Sequence, residues 1–172
     1  EIVRSSTPSV CRDALKAAVS IIMTGTEKDV HEFVSDFEAR FKALPFEEIA
    51  FPRKVNGISQ YITRDGDLAS GTPQQSKASI MYNKLVREAK LDDKYRLISE
   101  GDKIKFAYLK TPNPAGIDVF AIADVLPREL GLEKYIDHNT QFQKSFLDPL
   151  DSVLECVGWS AEKKRTLAGF WQ

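Results

Sequence analysis

The sequence predicts an α+β fold: a helical hairpin, further helices and a small antiparallel sheet. Three observations predict it. Apolar residues recur at helical spacing through two consecutive stretches before Pro45, and again over 74–91 and 135–157. Ile104, Phe106 and Tyr108 alternate with Lys103, Lys105 and Lys110, the period of a half-buried strand with a basic outer face. The chain has 172 residues, 42% hydrophobic and 28% charged, enough to bury a core without cross-links.

The elements follow in order. Glu1-Ile2-Val3-Arg4 alternates polar and apolar and reads as the end of a strand. Its partners are either later strands of this chain or strands of a preceding segment; the second reading is preferred, so the chain reads as the C-terminal piece of something larger. Thr7 as a cap and Pro8 at the first helical position start a helix carrying Val10, Ala14, Leu15, Ala18, Ile21 and Ile22, which Gly25 ends. Thr26 caps a second helix, with Asp29 three residues on. Its stripe is Val30, Phe33, Val34, Phe37, Phe41 and Leu44, core rather than cofactor box, and Pro45 stops it. The short link makes the two helices an antiparallel hairpin. A strand is expected over 48–51, then a surface loop to Gly71 rich in turn residues and able to touch a ligand. A helix over 74–91 turns Ala78, Met81, Tyr82 and Leu85 inward. A β-hairpin pairs 95–99 with 103–110 through Glu100-Gly101-Asp102, and 119–123 makes a further strand. The helical pattern over 135–157 is broken or kinked at Pro149 and closed by Gly158.

Composition narrows the function. No apolar run approaches a membrane span, and no stretch resembles a signal peptide. Cys11 and Cys156 stand at opposite ends, which excludes a disulfide framework and a zinc ribbon. His31 reads as a surface side chain, and His138 lies in a polar stretch with no ligand set. The pairs Glu47-Glu48 and Asp92-Asp93 diverge as neighbours do, so no catalytic residue, metal site or cofactor is assigned in this chain. The charge is uneven. Residues 53–110 hold twelve Lys/Arg against seven Asp/Glu, a net +5, whereas 1–52 and 111–172 each hold six against nine, a net -3. The basic middle third reads either as a site for a polyanion partner or as a solvated face.

Several motifs share one resemblance. Glu1-Ile2-Val3-Arg4-Ser5-Ser6-Thr7-Pro8 resembles the palm-to-thumb passage of family B DNA polymerases, and is most similar to that of the T-even-type bacteriophage group. Asn56-Gly57-Ile58-Ser59-Gln60-Tyr61 resembles that group's loop at the duplex minor groove, and Lys77-Ala78-Ser79-Ile80-Met81-Tyr82-Asn83 the helix that follows. Glu100-Gly101-Asp102-Lys103-Ile104 resembles its hairpin turn. Phe142-Gln143-Lys144-Ser145-Phe146-Leu147-Asp148-Pro149-Leu150 resembles its late helix, and 164–171 its clamp-binding peptide. Gln60 and Gln75 stand where the family often has a basic residue and a His.

The resemblance implies a polymerase thumb: 1–6 a remnant of a palm strand, 7–160 the thumb domain and 161–172 a C-terminal clamp-binding tail. It implies phosphate contacts from Lys54, Lys77 and Lys84, and close approach to the minor groove by Asn56, Gly57 and Tyr61. Such contacts tolerate any sequence, as copying requires. Leu167, Phe170 and Trp171 would dock on a sliding clamp. The implied partners are primer–template DNA, the upstream palm, fingers and exonuclease, and the clamp, with no membrane. Magnesium is expected in the missing palm, and the setting is the cytoplasm of a phage's host. The alternatives are a non-catalytic interaction module recruiting a partner through its tail, and a free-standing nucleic-acid-binding protein.

Overall fold

The computed structural model describes residues 4–162. It is α+β, as the sequence predicts. Helices α1 (Ser9–Thr24) and α2 (Glu27–Phe41) pack against one another. The capping box at Thr26 forms: its hydroxyl accepts from the Asp29 N–H at 3.3 Å, and Asp29 Oδ2 accepts from the Thr26 N–H at 2.8 Å. The start of α1 differs from expectation. Pro8, not Thr7, is the cap residue, and no side chain caps the helix. The Pro8 carbonyl accepts from the N–H groups of Cys11 and Arg12 instead.

The expected strand over 48–51 is displaced. Phe46–Ile49 forms a short helix, α3, and β1 runs Phe51–Lys54. One helical turn brings Phe46 and Ile49 to the same buried side, whereas a strand would send residues three apart to opposite faces. Pro52, which has no N–H to donate, sits in β1 at one side of the three-stranded sheet.

Helix α4 spans Gln74–Glu88. Its buried face is Ala78, Ser79, Tyr82, Asn83 and Val86, while Met81 and Leu85 are only half-buried. The sheet order is β1-β2-β3, antiparallel throughout, with β2 at Lys103–Tyr108 and β3 at Val119–Ile122. Phe51 faces Phe106, Lys54 faces Lys103, and Tyr108 faces Val119. Every residue of β3 is buried, and α4 packs on it. The hairpin expected from 95–99 is absent, because these residues form no strand. Asn83 reaches across and pairs with both backbone groups of Ile98, accepting its N–H at 2.8 Å and donating to its carbonyl at 2.9 Å. The Tyr82 hydroxyl donates to the Arg96 carbonyl at 2.8 Å. Side chains of α4 thus take backbone groups that a strand ladder would have used.

The C-terminal helical pattern is nearly continuous from 138 to 157. Helices α5 (His138–Phe142) and α6 (Asp148–Leu154) are joined by a π-helical turn, Gln143–Leu147. The wide turn lies just before Pro149, which falls in the first turn of α6, where its missing N–H costs little. Gly158 closes the helix at φ 74°. Phe37 and Phe41 of α2 meet Phe142 and Phe146, with ring centroids of Phe37 and Phe146 4.8 Å apart. His31 is not a free surface side chain, since its Nε2 lies 2.8 Å from the Ser160 carbonyl. His138 Nε2 lies 3.1 Å from the Leu44 carbonyl. Ala161 is buried and its N–H donates to Asp151 at 3.0 Å. Of the expected strand at 1–4, only Arg4 is described, and it enters a turn.

Candidate nucleic-acid interface

The basic middle third folds into a loop, a helix face and a turn that meet. Val55 is buried and continues the β1–β2 ladder: its N–H donates to the Asp102 carbonyl at 2.9 Å, and its carbonyl accepts from Gly101 at 2.7 Å. The chain then turns at Gly57, where φ is 102°. A Cβ there would crowd the exposed Gln60 side chain, which can swing away, and lie 3.1 Å from the Tyr61 ring, so it is the positive φ that demands glycine. A 3₁₀ turn, Ser59–Tyr61, follows. Ile62 bridges to Leu68, and the Ala69 N–H returns to the Tyr61 carbonyl at 2.8 Å, so the expected open loop contains a tight inner turn.

Glu100, from the turn before β2, reaches into this loop. Its Oε2 accepts from the Gly57 N–H at 2.7 Å. Its Oε1 accepts from Ile58 at 2.6 Å and from Ser59 at 3.1 Å. The backbone N–H groups of Ile58 and Ser59, with a smaller share from Gly57, hold its carboxyl below the ordinary Glu range. Asp102 holds the same turn by accepting from Ser99 at 2.9 Å and from Arg96 at 2.8 Å.

A cavity of about 690 Å³ opens between this loop and α4, with Ile58, Ile62, Ile80 and Ile98 among its apolar lining and Lys84 and Arg87 among its polar lining. Lys84 and Arg87 are exposed, three residues apart on one helix face. Lys54 is exposed at the end of β1 beside Lys103 of β2. Asn56 is exposed; Gly57 and Tyr61 are half-buried. The loop therefore gathers Lys54, Asn56, Gly57 and Tyr61, and α4 brings Lys84 to its cavity. Lys77 is held elsewhere, its Nζ 2.6 Å from Asp118 just before β3.

Part of the middle third's positive charge is already committed. Arg96 bridges Asp102 and Asp124, and Lys94 pairs with Glu129. Lys94, together with the Tyr95 hydroxyl at 2.6 Å, lowers the Glu129 carboxyl to about 2. Arg53 lies over Phe51 and Phe106 and donates to the Ser6 and Pro52 carbonyls. Lys54, Lys84, Arg87 and Lys103 have no carboxylate partner among the described residues and stand at the loop or its cavity, so they are cations placed there to meet an anion. Arg87 and Lys103 were not singled out as site residues by sequence. The spacing from Lys84 carries the signal for Arg87, whereas Lys103 joins only through strand register.

No group of three or more His, Cys, Asp or Glu among the described residues could hold a metal ion, and none of their helices is long and apolar enough to cross a membrane. Leu167, Phe170 and Trp171 lie outside the described residues. No family model matches the chain. Over 171 residues, 97% of its length, the chain is 29% identical to the DNA-directed DNA polymerase of Enterobacteria phage T4. The chain spans 18% of that relative's length. The resemblance to the T-even-type phage polymerases thus runs along nearly the whole chain.

Proposed function

We propose that this chain is the thumb part of a family B DNA-directed DNA polymerase, gripping primer–template duplex behind the site of synthesis. The observation that carries the reading is the collinear similarity to the T4 polymerase, 29% identity over 97% of the chain. The geometry supports it. A glycine-dependent loop stands between two exposed basic positions, Lys54 and Lys84, with Asn56 and Tyr61 beside the glycine. Lys54 and Lys84 meet phosphates, with Arg87 beside Lys84, and this gives affinity without sequence preference. Asn56, Gly57 and Tyr61 approach the minor groove, where acceptors occur at every base pair. Lys77 contributes less, because a phosphate must compete with Asp118.

In this reading 1–6 lead from a palm strand, 7–160 form the thumb and 161–172 tether it to a sliding clamp through Leu167, Phe170 and Trp171. The catalytic carboxylates and their magnesium belong to a palm outside this sequence, and the work takes place in the host cytoplasm. The chain alone extends no primer.

Two measurements test this. The chain should bind duplex DNA of any sequence at roughly micromolar strength or weaker at physiological salt, and Lys84→Ala should flatten the salt dependence by about one unit. Primer extension should require the remainder of the polymerase. Extension by the pure chain, or no duplex binding at low salt, overturns the reading.

A further inference from the structure

We infer that Glu100 is the positioning residue that sets the shape of the DNA-facing loop. The inference rests on the polymerase reading above and deepens it, by naming what holds the groove-approaching residues in place. Three successive N–H groups, of Gly57, Ile58 and Ser59, converge on one carboxylate, and the Ser59 hydroxyl adds a longer contact at 3.4 Å. Such a concave run of amides is an anion-binding nest, and here the chain fills it with its own side chain. Both carboxylate oxygens are used, one by Gly57 and the other by Ile58 and Ser59. Gly57 would otherwise explore many conformations, since glycine is the least restrained residue. Asn56 lies immediately before the nest and Tyr61 follows its last amide by two residues, so holding these three amides fixes the direction in which both leave the loop.

Charge makes the inference testable by sign. Glu100 shares its cavity with Lys84 and Arg87, the cations assigned to phosphate. If it were merely an acidic surface residue near DNA, removing it would strengthen binding to a polyanion. If it positions the loop, removing it weakens binding although a negative charge is lost.

The test uses the full chain and a fluorescently labelled primer–template duplex, with amide exchange read by NMR alongside. In Glu100→Ala the amides of Gly57, Ile58 and Ser59 should exchange faster. Duplex affinity should fall about five- to tenfold with an unchanged salt slope, because no phosphate-binding cation has been removed. Glu100→Gln should be intermediate: its remaining oxygen serves Ile58 and Ser59, while its NH₂ cannot accept from Gly57. Affinity equal to or tighter than the parent chain's in Glu100→Ala overturns the positioning role while leaving the DNA reading intact. Unchanged exchange at the three amides overturns the latch itself. A parent chain that binds no duplex brings down the polymerase reading, and the positioning role with it, even if the amides still respond.

Discussion

The α2–α5–α6 side of the molecule and the loop side around Gly57 are built on opposite principles. On the first, Phe37, Phe41, Phe142 and Phe146 are all buried and their rings meet, so position is set by packed apolar surface. On the second, Glu100 and Asn83 bind backbone N–H and carbonyl groups of segments remote in sequence, and Asp102 binds the Ser99 N–H within its own turn. The aromatic side gains stability from area; the loop side gains a specified shape from a few directional bonds. A surface that must approach a ligand closely cannot bury its residues, so hydrogen bonds do the positioning there.

The largest effect should come from the aromatic side. Phe37→Ala removes a ring that touches four others and should cost about 3–5 kcal/mol in denaturant unfolding. The amides of Gly57, Ile58 and Ser59 should keep their chemical shifts in the molecules that remain folded. Shifts there would break the separation between the two sides.

Asn83→Ala should come next, at about 2–4 kcal/mol, because it strands both buried backbone groups of Ile98. Unlike the Phe37 variant, it should also disturb the cavity beside Lys84. A loss below 1 kcal/mol in the same unfolding measurement would mean that water replaces the side chain, and that α4 does not organise the 95–99 segment.

The smallest effect is an acid titration. Glu100 and Glu129 both have folded-state pKa values below the ordinary 4.5. Their stabilising contribution is fully present above 4.5 and is lost as pH falls through the folded values, about 2 for Glu129. NMR should therefore find the Gly57, Ile58 and Ser59 amides titrating together below pH 4.5, while the Phe37 ring signals stay fixed. Three separate midpoints, or a common one above 4.5, would remove Glu100 as their shared acceptor.

The same contrast explains what the sequence disclosed. Helices α1 and α2 were legible because a continuous apolar stripe encodes each, and in α2 the local cap at Thr26 as well. The alternation in β2 was legible for the same reason. The partner strand was not: 95–99 has strand-like composition, but Asn83, more than a dozen residues earlier, occupies its backbone. Pro45 signalled a stop, yet a proline can equally precede a new turn, and Phe46 with Ile49 then gains a common buried side. Of the proposed contacts, Lys54, Asn56, Gly57 and Tyr61 lie together because they are close in sequence. Pairing of Lys77 with Asp118 depends on how α4 crosses β3, which no linear spacing records. Glu100 was visible only as a turn residue, since its bonds span 41 to 43 positions.

Those long spans bear on the order in which the molecule assembles. A contact across some forty residues must overcome the entropy of closing the intervening chain, and local helices form much sooner. The carboxylate reaches its amides once β2 has aligned with β1 through Val55. The loop's final geometry is thus a late event of folding. Time-resolved amide labelling would then find α2 protected well before Gly57. A chain in which the sheet pairs out of register would keep its helices and lose the loop, placing quality control of the proposed binding surface at the last step of maturation.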